Sequence, residues 1–224
     1  MNDCREFFAQ EEVDRMRALI TGFPPFPGRP ENPSEAVVRL LQREPPQWPG
    51  LVLQTALLPV EYAGVENAVD DLLRDVQPDI WLALGVGRQS TPVRLETQAV
   101  NCDASDRPDN SGNRRCGEAI EPGGPSVRRI PWSCDSLLAE LQAAQIPAEC
   151  GDDAGTYVCN HLLYYVLQRL EQLNFPCRFL FVHLAPPECG LPPENLSCAL
   201  QIILNWLQNQ HAGQSRSETT LASF

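Results

Sequence analysis

One stretch of this sequence sets a nucleophile where it could work: Ala154-Gly155-Thr156-Tyr157-Val158-Cys159-Asn160-His161. It places a thiol close to the predicted start of a helix, just after the turn-forming Gly151-Asp152-Asp153. The partial positive charge of a helix N-terminus favours thiolate over thiol, and thiolate is the form that does covalent catalysis. The ordinary use of cysteine stands against this, because a helical cysteine is usually a small buried hydrophobe and the chain has nine. They fall at 4, 102, 116, 134, 150, 159, 177, 189 and 198 with no Cys-x-x-Cys pair, which is neither a zinc pattern nor a small disulfide framework. With three histidines in all, no protein-held metal is expected, and no cofactor.

A catalytic thiol needs a base within hydrogen-bond reach and a third group to orient that base. His161 lies two positions from Cys159 on the same predicted helix, so the two side chains point about 200° apart. His211 sits at the edge of the polar C-terminal tail. His183 ends the apolar run Phe179-Leu180-Phe181-Val182. Catalytic groups in open α/β sheets gather at the carboxyl ends of strands, so His183 is either that base or a buried histidine bonded to backbone. For the acid the chain offers 29 carboxylates. Glu96, in Val93-Arg94-Leu95-Glu96-Thr97-Gln98 after a central strand, is a candidate whose alternative is a solvated surface group.

The elements that must position these residues alternate. Strands are expected at Ala18 to Thr21, Leu51 to Leu58, Asp79 to Gly85, Ile146 to Cys150 and Cys177 to Leu184. Helices are expected from Asn32-Pro33-Ser34, over Val65 to Val76, Leu137 to Ala144, Thr156 to Leu173 and Pro193 to Gln210. Gly22-Phe23-Pro24-Pro25-Phe26-Pro27-Gly28, with three prolines and two glycines, is a loop. Residues 101–130, rich in Asp, Asn, Gly, Pro and Arg, read as a long loop excursion. This pattern predicts an α/β/α three-layer sandwich around a mostly parallel central sheet. It divides the chain into a polar N-terminal arm at 1–17, with a short helix around Glu11 to Arg17, a single α/β domain at 18–211 and a flexible tail at 212–224.

Composition narrows the function. A chain of 224 residues, 43% hydrophobic and 21% charged, is that of an ordinary globular protein. Its net charge of -12 argues against nucleic acid, which needs a basic face. No apolar run approaches the ~20 residues that span a bilayer, so no membrane partner is expected. The N-terminus has no apolar signal-peptide core, and cytoplasm is the expected compartment. Gly85-Val86-Gly87-Arg88 lacks the full Gly-x-Gly-x-x-Gly pattern of a nucleotide loop.

Taken together, the segments resemble the pyroglutamyl peptidase I (pyrrolidone-carboxylate peptidase) family of cysteine peptidases, from about Ala18 to about Gln210. Residues 154–161 resemble its nucleophile signature. Thr21-Gly22-Phe23-x-Pro25-Phe26 with Asn32-Pro33-Ser34 resembles its substrate loop, and Phe181-Val182-His183-Leu184-x-x-x-Glu188 the segment with its catalytic histidine. Leu58-Pro59-Val60-x-Tyr62, Gln77-Pro78-Asp79 and Pro108-Asp109-Asn110-x-Gly112 follow in family order. The resemblance implies removal of an N-terminal pyroglutamyl residue from peptides through an acyl-enzyme. Cys159 would then be nucleophile, His183 base and then acid, and Glu96 the orienting acid. Phe23, Phe26 and Val86 would contact the lactam, while the Cys159 N–H and Arg107 would serve the oxyanion. It also implies a homo-oligomer, often a tetramer.

The sequence departs from that pattern in the frame around the site. Where the family reads Gly-Gln-Ala-Gly-Gly-Arg this chain has Gly85-Val86-Gly87-Arg88-Gln89-Ser90, and Thr97-Gln98 follows the glutamate in place of Arg-Val. Asp106-Arg107 shifts an arginine by one residue, and Pro24 and Pro27 stiffen the substrate loop and remove two donors. Two other readings stay open for that reason: a thiol hydrolase of altered acyl specificity, and a silent relative that binds capped peptides.

Overall fold

A computed structural model describes residues 15–221. A six-stranded sheet forms its centre, in the order β2-β1-β3-β10-β4-β9. The first four strands in this order, β2 (Leu51–Leu57), β1 (Met16–Gly22), β3 (Ile80–Val86) and β10 (Arg178–Leu184), are all parallel. β3 and β10 are almost wholly buried, which explains why both read as unbroken apolar runs: strands covered on both faces have no polar alternation. The last two strands, β4 (Val93–Glu96) and β9 (Ala148–Gly151), are parallel to each other, and β4 runs antiparallel to β10.

Among the described residues five α-helices flank the sheet: α1 (Pro33–Arg43), α2 (Tyr62–Asp75), α3 (Asp135–Ala143), α4 (Val158–Gln172) and α5 (Pro193–Leu221). The crossovers β1-α1-β2 and β2-α2-β3 step in opposite directions along the sheet, so their right-handed sense puts α1 and α2 on opposite faces. α2 packs with α4, tied by Arg169 Nε to Asp70 Oδ1 at 2.7 Å and by Tyr165 to the same carboxylate at 3.1 Å. The three layers are the predicted α/β/α sandwich. No helix among the described residues is long and apolar enough to cross a membrane.

The structure revises the expected elements in four places, the first being β4, a strand not expected over Val93–Glu96. Residues 101–130 are not a plain loop: β5 (Gln98–Val100) pairs with β8 (Val127–Arg129), and β6 (Asp103–Ser105) with β7 (Arg115–Glu118). Strands of three or four residues are too short to show alternation, and these are held by contacts distant in sequence. β1 begins at Met16, so Met16 and Arg17 belong to the sheet rather than to an N-terminal helix, and Arg15 is not helical; residues 11–14 of that expected helix lie outside the described residues. α5 continues to Leu221, past the expected end at 210, through a segment with no proline to stop it.

α1 shows how local chemistry shapes the future site. Asn32 caps it, its Oδ1 accepting from Ser34 N at 3.1 Å, with Pro33 in the first turn. The same Asn32 donates from Nδ2 to Pro24 O at 3.2 Å, and buried Ser34 Oγ accepts from Phe23 N at 3.0 Å. One cap thus fixes both a helix and the proline loop. Asn32→Ala is expected to cost about 1–2 kcal/mol of stability, read as a lower urea midpoint with an unchanged m-value.

Candidate active site

The site starts from strand register. In the antiparallel pairing of β10 with β4, Phe181 faces Glu96 and His183 faces Arg94, while in the parallel pairing with β3, His183 faces Gly85. Residues two apart on a strand share a face, so all these positions present to one side of the sheet. Glu96 and His183 are diagonal neighbours there, and His183 Nδ1 lies 2.7 Å from Glu96 Oε1. With Nδ1–H directed at the carboxylate, Nε2 is left for Cys159, a neighbour close enough to raise the imidazole.

Cys159 comes from the helix layer above. It is the second residue of α4, half-buried, and its N–H is one that the first turn of a helix leaves without an intrahelical partner. Gly85 makes room for it. A Cβ at that position would sit 3.2 Å from Cys159 Sγ and 2.9 Å from the Phe181 ring. Any side chain there would push the thiol off the sheet or displace Phe181.

The start of α4 is anchored on several sides. Asn160 is buried and brackets β5, accepting from Val100 N at 2.9 Å and donating to Val100 O and Cys102 O at 2.9 and 3.1 Å. Thr156 Oγ1 donates to Ala104 O, and Tyr157 OH to Pro108 O at 2.9 Å. His161 turns away from Cys159, as its spacing predicts. It lies buried between Asp103 Oδ2 at 2.8 Å and Glu66 Oε1 at 3.0 Å.

Electrostatics follow from these partners. Burial opposes a charge on His183, but the hydrogen bonds and charges of Cys159 and Glu96 outweigh it and raise the imidazole to about 9. His161 is raised in the same way: burial lowers it, and Asp103 and Glu66 more than compensate. Glu96 is wholly excluded from water and faces His183 on one side and Arg94 Nε, at 3.2 Å, on the other.

Beside Cys159 a narrow pocket is lined by Phe23, Phe26, Asn32, Val60, Val86, Tyr157 and Val158. The structure therefore brings Phe23, Phe26 and Val86 to the same place as Cys159. Arg107 is half-buried, with its guanidinium carbon 3.9 Å from where a Gly28 Cβ would lie, and it acts on the Tyr157 phenol by its charge. It is not among the residues lining the pocket. Tyr157, Val60 and Asn32 were not singled out from sequence as pocket residues. Tyr157 and Val60 sit in segments that were noted, but only the fold turns them inward, with the Tyr157 ring 5.7 Å from Phe26. The side chain of His211 lies outside the described residues. Among the described residues no group of three or more His, Cys, Asp or Glu is arranged to hold a metal ion.

Comparison with known proteins gives matches over most of the chain. Residues 16–204 match the family model described as pyroglutamyl peptidase. A pyrrolidone-carboxylate peptidase of Yersinia pestis is 34% identical over 168 residues, 75% of this chain and 77% of that protein. The crystal structure of the pyrrolidone carboxyl peptidase of Fervidobacterium islandicum AW-1 superposes with a TM-score of 0.79 at 30% identity, covering 87% of this chain and 99% of that one. Pyroglutamyl peptidase I of Bacillus amyloliquefaciens gives 0.77 at 28% identity, over 84% and 92%.

Two outcomes test the electrostatics. The rate of Cys159 alkylation by iodoacetamide is expected to have its upper inflection near pH 9, where His183 gives up its proton. Glu96→Gln removes a charge that raises His183, so the inflection should fall by about one unit or more. The raised folded-state value of His161 means its ion pairs contribute stability fully below its unfolded pKa of about 6.5 and lose it as pH rises through the folded value. His161→Leu should thus be less stable by about 3–5 kcal/mol at pH 6, with the gap to the parent narrowing in urea melts at alkaline pH.

Proposed function

Because the chain belongs to the pyroglutamyl peptidase family, we propose that it hydrolyses the amide bond after an N-terminal pyroglutamyl residue through an acyl-enzyme on Cys159. The observation that carries this reading is the meeting of Cys159, His183 and Glu96 beside a pocket walled by Phe23, Phe26, Val86 and Tyr157. A pyroglutamyl group has no free α-amine and presents a flat lactam, so apolar walls with a few polar contacts suit it.

Cys159 thiolate attacks the carbonyl carbon, with His183 holding the proton as imidazolium. The oxyanion of the tetrahedral intermediate takes the Cys159 N–H at the helix start, with Arg107 supplying positive charge from the loop beside it. His183 Nε2 then gives its proton to the leaving amine nitrogen, the C–N bond breaks, and the shortened peptide departs. Water, deprotonated by the now neutral His183, attacks the thioester carbonyl. The C–S bond breaks, pyroglutamate leaves and thiolate is restored. Throughout, Glu96 accepts from Nδ1–H, which fixes the ring and offsets its charge at the two imidazolium stages.

The proposal includes peptides with a pyroglutamyl N-terminus as substrates, cytoplasmic residence and assembly of several copies. The last two rest on sequence alone. A fluorogenic pyroglutamyl amide is expected to be turned over by the reduced protein, and iodoacetamide should abolish that turnover. Cys159→Ala should lose at least about 10³-fold in kcat while melting like the parent. Full turnover by Cys159→Ala would remove the nucleophile from the reading. No turnover by folded wild-type protein, with Cys159 still rapidly alkylated, would point to a different acyl group.

A further inference from the structure

The reaction as proposed leaves one strong charge at the triad without a task. Arg94 stands two residues before Glu96 on β4, on the same face and directly across from His183. Its Nε is 3.2 Å from Glu96 Oε1, the same oxygen that faces His183 Nδ1 at 2.7 Å. Arg94 Nε and Glu96 Oε2 are both buried and, among the described residues, neither has a hydrogen-bond partner. Both lie over Gly151, the partner of Glu96 in the pairing of β4 with β9, and a Cβ on Gly151 would collide with each. The far end of Arg94 is tethered, with Nη1 3.8 Å from Glu149 Oε1 and Nη2 donating to Asp153 O at 3.5 Å.

A carboxylate held from one side by an imidazole is free to rock about its last torsion. Glu96 is completely buried, so solvent cannot steady it, and the space over Gly151 is shared by its carboxylate and Arg94. A cation sharing Oε1 with His183 both fixes the carboxylate plane and opposes the charge on the imidazolium. We propose that Arg94 is a positioning residue for the reaction: seated with Glu96 over Gly151, it fixes the orientation of the acid and tempers the proton affinity of His183. The inference rests on the reading of Cys159, His183 and Glu96 as nucleophile, base and acid. The charged groups around His183 are Cys159 from α4, Glu96 and Arg94 from β4, and Glu149 on β9 beyond Arg94; β3 presents only Gly85 there.

The test compares wild type, Cys159→Ala, Arg94→Gln and Arg94→Lys as full chains. It measures kcat and KM on a pyroglutamyl amide, the pH dependence of kcat/KM and of Cys159 alkylation by iodoacetamide, and the melting temperature. Arg94→Gln is expected to lose about tenfold or more in kcat with KM within about twofold. Its alkaline limb should move upward in both profiles, because the cation that opposed the imidazolium is gone. This is the reverse of Glu96→Gln. Arg94→Lys should restore the limb and most of kcat. Wild-type kcat and limb in Arg94→Gln would overturn the proposal, as would a loss of kcat with an unmoved limb that Lys does not repair. If Arg94→Gln does not fold, Arg94→Lys decides alone: a parental limb and near-parental kcat support the role, and loss of either overturns it. If wild type alkylates but does not cleave the amide, the substrate reading falls, while an upward limb for alkylation in Arg94→Gln still upholds the seat of Glu96.

Discussion

A carboxylate wholly removed from water is stable as an anion only where cations or donors face it, and the position of Glu96 is the constraint that organises this molecule's active end. It lies on β4, the strand that reverses the direction of the sheet, directly beside β10. Running antiparallel, it brings Glu96 back alongside Phe181, one diagonal step from His183. From there the charges alternate outward: carboxylate, imidazole and thiol toward the pocket, guanidinium toward β9.

The opposite half of the site is a problem of placing a helix end. α4 is buried around most of its circumference, so apolar packing fixes its axis but allows it to slide or roll. Asn160 and His161, the two residues after Cys159, remove that freedom. Asn160 binds the backbone of β5 with both ends of its amide. His161 is clamped by Asp103 on β6 and Glu66 on α2, under the ring of Tyr62 at 5.4 Å. The short ribbons at 98–129 serve here as the surface against which the helix start is registered. The proline loop is likewise held to the same frame, through Asn32 and through Asn110 Nδ2, which donates to Pro25 O at 3.2 Å.

Two missing side chains matter as much as the charged ones. Gly85 lets the helix bring its thiol down to the sheet, and Gly151 lets Arg94 and Glu96 occupy one space at the sheet's edge. Neither position needs glycine for its backbone conformation. Each needs it for the closeness of a neighbour that is remote in sequence, so nothing local in the chain marks them.

The strands β1, β3 and β10 and the helices α1 and α4 were legible in the sequence, because each carries its own signal: short apolar runs, helical periodicity, and the Asn32-Pro33 start. Cys159, the nucleophile we propose, was visible as a thiol at a helix start, but only the resemblance separated it from the other eight cysteines. Glu96 could be singled out of 29 carboxylates only through the resemblance, since a charge on a four-residue strand has no local mark of burial. What the sequence by itself determined was the set of elements, their alternation into a sandwich, and the chemical kind of its reactive residue. Only the tertiary structure decided which carboxylate meets His183, that His161 belongs to a separate clamp, and that Arg94 shares the acid's seat. These depend on strand register and direction, which contacts between residues tens of positions apart establish.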